Sequence, residues 1–172
     1  MASSKWTSYA GQRRGMNYYA AVREAIEKHS PGESILDVGC GGTDTVMAGS
    51  FDRRYAVNQT PIPDWPCDAE LIIGTWPEVE LPESRFDVVT CCQVIEHLPD
   101  EAIPAFVAKL EAVAETLIVS VPFMWPKGMC KYHRQDPVDE EKFRGWFSRQ
   151  PGSISVIQDG RLCRLVAVLG LA

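Results

Sequence analysis

The chain has 172 residues, 45% of them hydrophobic and 23% charged, with a formal net charge of −6 at pH 7. A chain of this size buries roughly 70% of its unfolded surface in one domain, without help from metals or disulfides. No apolar run reaches the ~18 residues of a membrane span, and the basic start MASSKWTSYAGQRR is not followed by the apolar core of a secretory signal. The acidic balance argues against a protein that grips nucleic acid through its phosphates. These features predict a single cytoplasmic domain over 1–172, with neither membrane nor nucleic acid as a partner.

The first predicted element is a helix over 17–29, where Tyr19, Val22 and Ile26 share a face and Ser30-Pro31-Gly32 stops the pattern. SILDVG (34–39) is a short apolar strand running into glycines, and RYAVN (54–58) is a second. The segment 59–66 holds three prolines, so a full crossover helix is not expected there. ELIIG (70–74) and FDVVTCC (86–92) give strands three and four. A helix is predicted over 100–113, with Asp100 and Glu101 suiting its positive N-terminal end. TLIVSV (116–121) is a fifth strand. Asp136 followed by Pro137 reads as an N-cap and first helical position, opening a helix to about Phe147. SISVIQ and RLCRLVAVLG, joined at Asp159-Gly160, form a terminal hairpin. Apolar strands alternating with helices or loops make an α/β chain with a mostly parallel sheet. Ligands of such sheets bind beyond the C-terminal ends of the strands.

Six cysteines (Cys40, Cys67, Cys91, Cys92, Cys130, Cys163) form no C-x-x-C pair, and four lie in or beside strands. They read as reduced thiols of the core or the site wall. After the first strand comes Asp37-Val38-Gly39-Cys40-Gly41-Gly42-Thr43-Asp44. A dinucleotide fingerprint needs glycine where Asp44 stands, and an aspartate there opposes a pyrophosphate. A phosphate-free adenosine ligand with a positive sulfonium tolerates it.

ILDVGCGGTD resembles the first motif of the class I S-adenosylmethionine (SAM)-dependent methyltransferases, and LPESRFDVVTCCQVIEHLPD resembles the fourth-strand region of that family, in the expected order. The resemblance covers about residues 17–122. It implies a three-layer Rossmann-like fold, with a mostly parallel seven-stranded sheet ending in a C-terminal antiparallel hairpin. It also implies SAM as cofactor and methyl transfer to an oxygen or nitrogen of a small molecule. Gly39 and Gly41 would pass under the methionine moiety and Asp37 would orient the loop. Asn58 stands where the family carries an acidic ribose ligand. Thr75 and Trp76 follow the third strand, with Trp76 a candidate wall for the adenine. Gln93 completes the cofactor set.

His97 and His133 are the candidate catalytic residues, His133 as a general base at neutral pH. Glu96, Lys131, Tyr132 and Arg134 stand beside them. Metal-binding relatives read E-x-x-E-H in this region, whereas this chain has Gln93 in place of the first carboxylate, so no metal is expected. Glu96, His97 and His133 nonetheless offer three ligands, and a metal-assisted O-methyltransferase acting on RNA ribose or a catechol-like diol is the alternative. A SAM-binding subunit without chemistry of its own is a second. Lys127, Lys131 and Arg134, with Arg13 and Arg14, suggest a basic rim suited to an anionic acceptor. Residues 1–30, with Trp6, Tyr9, Tyr18 and Tyr19, form a candidate lid. A chain this short leaves the acceptor site open or completed by a second copy or a partner chain.

Overall fold

The computed structural model describes residues 11–65 and 67–170. Seven strands form one sheet in the order β3-β2-β1-β4-β5-β7-β6. They are β1 (Gly32–Val38), β2 (Phe51–Asn58), β3 (Glu70–Ile73), β4 (Phe86–Cys92), β5 (Ala114–Phe123), β6 (Ser153–Asp159) and β7 (Leu162–Leu169). The first five run parallel, and β7 returns antiparallel between β5 and β6. Chain order reverses between β1 and β4, so a crevice opens beyond the carboxyl ends of these two neighbours.

The central strands are apolar on successive residues because both faces are covered. In β1, Ile35 belongs to one core and Leu36 to the other, and Val88 and Val89 divide in the same way in β4. One face carries helix α1 (Asn17–Lys28), whose buried Tyr18, Tyr19, Val22 and Ile26 recur at helical spacing. The Asp159 carboxylate, from the β6–β7 turn, accepts hydrogen bonds from the first backbone N–H groups of α1, Asn17 N at 2.6 Å and Tyr18 N at 3.2 Å. The helix start is thereby tied to the far hairpin. The opposite face carries α2 (Ile103–Val113) and α3 (Glu140–Gly145), with Leu110 and Phe143 fully buried among Leu36, Val89 and Leu117.

Two helix starts differ from expectation. Residues 101–102 form a turn and α2 begins at Ile103, beside the proline at its first turn. The cap of α3 is Asp139, whose side chain accepts from Lys142 N, because Asp136 is drawn inward to a histidine. The connection after β1 holds a short 3₁₀ turn, Thr45–Met47, and among the described residues no helix separates β2 from β3 or β3 from β4. The prolines of 59–66 account for the first of these missing helices.

Leu110 is the fully buried leucine of α2 in its contact with the sheet. Leu110→Ala should destabilise the protein by ~2–5 kcal/mol, lowering the urea midpoint while leaving the slope of the transition unchanged.

Candidate active site at the C-terminal end of the sheet

The glycine loop leaves β1 under tight backbone control. Gly39 N and Cys40 N both donate to Val57 O, at 2.9 and 3.2 Å, and Thr43 closes the loop onto Cys40 O. Gly39 has φ +76°, and a Cβ there would lie 2.5 Å from Val94 Cγ2. It is glycine because the β4 turn presses on it. Gly41 has φ +54°, but a Cβ there would meet nothing nearer than 3.8 Å. Its N–H donates to Asn58 Oδ1 at 3.3 Å, while Asn58 Nδ2 donates to Thr60 O at 2.6 Å. Asn58 thus bridges two loops with its amide, using one lone pair of Oδ1 and one hydrogen of Nδ2.

Asp37 sits beneath this loop, 2% exposed. One carboxylate oxygen accepts from Thr90 Oγ1 at 2.7 Å, and the other has no hydrogen-bond partner among the described residues. Burial pushes its pKa up to about 6, against the opposing pull of Thr90 and Arg13. Asp44 faces the N-terminal segment. Tyr19 Oη donates to it at 2.6 Å, Arg14 pairs with it at 3.2 Å and Arg23 at 3.9 Å.

The turn after β4 carries the other half of the site. Gln93 adopts φ +60°. Its backbone N–H donates to Ser120 O at 2.8 Å, its Nε2 to Ser120 Oγ at 3.3 Å, and its Oε1 accepts from Arg164 Nε at 3.1 Å. The Arg164 guanidinium lies between the rings of Tyr18 and Trp125, 4.6 and 5.1 Å from their centroids. Arg13, 5% exposed, donates to Tyr18 Oη and to Cys92 O.

Glu96 lies in the 3₁₀ turn Ile95–His97, fully buried, and neither carboxylate oxygen has a hydrogen-bond partner among the described residues. Burial pushes its pKa up to about 8, although Arg13 and Arg164 pull the other way. Its backbone carbonyl accepts from Arg134 N and Gln135 N, which draws the loop after β5 over the turn. His97 Nδ1 lies 3.0 Å from Tyr132 O, and His133 Nδ1 lies 2.8 Å from Asp136 Oδ2. A carbonyl or a carboxylate can only accept, so each neutral ring carries its proton on Nδ1 and leaves a lone pair on Nε2. The two rings meet edge to face at 4.9 Å, and His133 stacks on Trp125. One ligand atom each from Glu96, His97 and His133 lies within 4.8 Å of the others. Burial lowers the pKa of His97.

The expected residues divide accordingly. Gly39, Gly41, Asn58 and Asp37 converge on one loop, and Gln93, His97 and His133 on the neighbouring turn. Trp76 is 8% exposed, its Nε1 donates to Phe106 O at 3.0 Å, and its ring packs edge-on to Phe106 with Lys109 over its face. The ring is a core group under α2. Thr75 is exposed, its carbonyl taking Val79 N. The expected basic rim is split, since Arg13 is buried and Arg14 is spent on Asp44. Trp6 and Tyr9 lie outside the described residues. All six cysteines are free thiols. Asp136, expected only as a helix cap, and Arg164 were not among the expected site residues. Their signals were the i,i+3 spacing of Asp136 from His133 and an arginine inside an apolar strand.

No family model matches the chain. A ubiquinone biosynthesis O-methyltransferase of Hahella chejuensis is 36% identical over 86 residues, which are 42% of this chain and 35% of that protein. The chain spans less than half the length of such relatives, 35% to 49%. The 1,6-didemethyltoxoflavin-N1-methyltransferase of Burkholderia thailandensis, solved with bound 1,6-didemethyltoxoflavin and S-adenosylhomocysteine, superposes with a TM-score of 0.73 at 14% identity, over 96% of this chain and 83% of that one. Magnesium protoporphyrin IX methyltransferase from Synechocystis, with bound SAM, gives a TM-score of 0.63 at 16% identity, over 94% and 80%. The chain has the fold of these SAM-dependent methyltransferases.

The buried carboxyls predict a pH dependence of stability. Folding raises the pKa of Glu96 and Asp37, so the native state holds more protons than the unfolded chain. That contribution is complete below the usual carboxylate range and is lost as pH rises through about 6 and then about 8. Unfolding free energy should therefore fall between pH 5 and 8 in denaturant titrations, and Glu96→Gln should flatten the upper part of that slope.

Proposed function

We propose that the chain transfers a methyl group from SAM to an oxygen or nitrogen of a small-molecule acceptor. The juxtaposition of the open, Asn58-braced Gly41 with the half-bonded, buried Asp37 carries this reading. The loop has room at Gly41 and an unspent acceptor beneath it, which suits a cationic, phosphate-free ligand. Asp37, Gly39 and Gly41 would hold the methionine end. Asn58 and Thr75 would meet the nucleoside, and Gln93 would border the reacting end. SAM, when bound, supplies an electrophilic methyl carbon. The names of the curated relatives favour oxygen as the methylated atom.

His133 receives the proton of the acceptor hydroxyl or amine on Nε2. Asp136 keeps the ring in that tautomer and balances the imidazolium that forms, while the Trp125 face fixes its plane. Gly41→Val fills the open side of the loop and should abolish SAM binding in calorimetry. Its urea transition should stay cooperative. Unchanged affinity in a folded variant would contradict the reading. His133→Ala should lower kcat by ~10²-fold while leaving SAM affinity intact. Full activity in that variant would remove the base.

The convergence of Glu96, His97 and His133 supports a second reading, a divalent ion at the acceptor. The residues fit such an ion: a buried carboxylate with no hydrogen-bond partner among the described residues lies with His97 Nε2 4.0 Å away, and a ring nitrogen of His133 completes a cluster within 4.8 Å. The ion would act as a Lewis acid, favouring the ionised form of an acceptor hydroxyl. Neutral Gln93, held by Arg164, supplies no fourth ligand charge. A chelator distinguishes the two: activity that persists supports the metal-free base, and activity lost and restored by added Mg²⁺, Mn²⁺ or Zn²⁺ supports the ion. A SAM-binding subunit without chemistry would bind SAM tightly and turn over no acceptor.

A further inference from the structure

Five large apolar side chains are strongly exposed among the described residues, and three of them, Met124, Met129 and Tyr132, stand on the single loop 124–134. Lys127, Lys131 and Arg134 stand exposed on the same loop, and no Asp or Glu occurs within it. A chain with a net charge of −6 thus concentrates three cations and three apolar side chains within eleven residues. The loop is anchored at its base. Met124 N donates to Val138 O at the start, and Arg134 N and Gln135 N donate to Glu96 O at the end. Trp125 and His133 stack on each other at the site, while Met124, Lys127, Met129, Lys131, Tyr132 and Arg134 are exposed.

We infer that this loop docks the protein reversibly on an anionic lipid surface. Methionine and tyrosine enter the boundary between headgroups and acyl chains, and flanking lysines supply the electrostatic attraction. Lysine is a hydrated point charge on a flexible stem, suited to a diffuse field of lipid phosphates; a fixed protein carboxylate favours the planar fork of arginine. Lys131 Nζ lies 4.7 Å from the Tyr132 ring centroid, so charge and apolar surface travel together. The absence of a spanning helix among the described residues bears only on crossing a membrane and leaves interfacial docking open. Since His133 belongs to the loop and His97 Nδ1 lies 3.0 Å from Tyr132 O, docking would bring a lipid-borne or membrane-associated acceptor to the site. That last step rests on the methyl-transfer reading; the docking itself does not.

Co-sedimentation of the full chain with vesicles tests the inference, with no SAM or acceptor present. Vesicles of phosphatidylcholine with one-third phosphatidylglycerol should bind the protein, pure phosphatidylcholine should bind it far less, and high salt should release it. Lys127→Glu combined with Met129→Ser alters two exposed side chains outside the site and should reduce partitioning by about tenfold or more. Ile73→Ser, which removes an exposed apolar group on β3 at the far edge of the sheet, should leave partitioning unchanged. No binding to the anionic vesicles would overturn the inference. So would equal binding to neutral ones, equal binding by the loop variant, or binding to single-stranded RNA or an acidic protein with none to vesicles. Calorimetric SAM binding by the loop variant stays at the level of the unmodified chain, so a failure of docking and a failure of the cofactor reading are separate results.

Discussion

The site exists because Val94 presses on Gly39. A Cβ on Gly39 would lie 2.5 Å from Val94 Cγ2, so only glycine lets the loop after β1 and the turn after β4 touch. The touch sets the two halves of the site side by side. One half presents backbone and a buried carboxylate; the other presents two imidazoles, a second buried carboxylate and a glutamine. Parallel pairing of β1 with β4 brings these strand ends into register, Asp37 opposite Thr90, and the glycine contact closes the remaining gap. Larger side chains at position 39 would force the loop and the turn apart.

Charge is arranged around that contact with little room for error. Asp37, Glu96 and Asp136 are buried, each with at least one oxygen that has no hydrogen-bond partner among the described residues. Unpaired buried carboxylates are costly. Arg13 and Arg164 offset part of that cost through space, and both are held by Tyr18, through its hydroxyl and its ring face. Helix α1 is therefore part of the site as well as a cover for the sheet. Its start is fixed by Asp159, which also pairs with Arg164. Retaining such groups at a strand-end crevice is consistent with function, since burial of this kind otherwise only destabilises.

Much of this was legible in the residues. The continuous apolar runs of the central strands announced burial on both faces, and FDVVTCC marks β4 at its observed limits, Phe86–Cys92. The glycine run and Q-V-I-E-H located both halves of the site, because special backbone geometry and paired titratable groups leave local marks. Non-local choices were less visible. Trp76 suits stacking and packing equally by type, and only the position of α2 gives its indole to Phe106. Asp136 before a proline has the form of a helix cap, but His133 three residues earlier competes for it and wins, leaving Asp139 to cap α3. The second guanidinium came from β7, seventy-one residues from Gln93, a distance no local pattern spans.

The protein has a competing concavity. A wide cleft at the opposite end of the sheet is lined by His29, Glu33, Asp52, Asp87 and Glu115, but the Asp87 carboxylate there is already engaged by Glu33 N and Ser34 N. Backbone amide chemical shifts recorded during titration with S-adenosylhomocysteine distinguish the two ends directly. Binding at the glycine loop predicts saturable shifts centred on 39–43, 58–60 and 91–94. Shifts centred instead on 29–33, 50–52 and 115–116, or none at saturating ligand, would contradict a cofactor site at the C-terminal ends of β1 and β4.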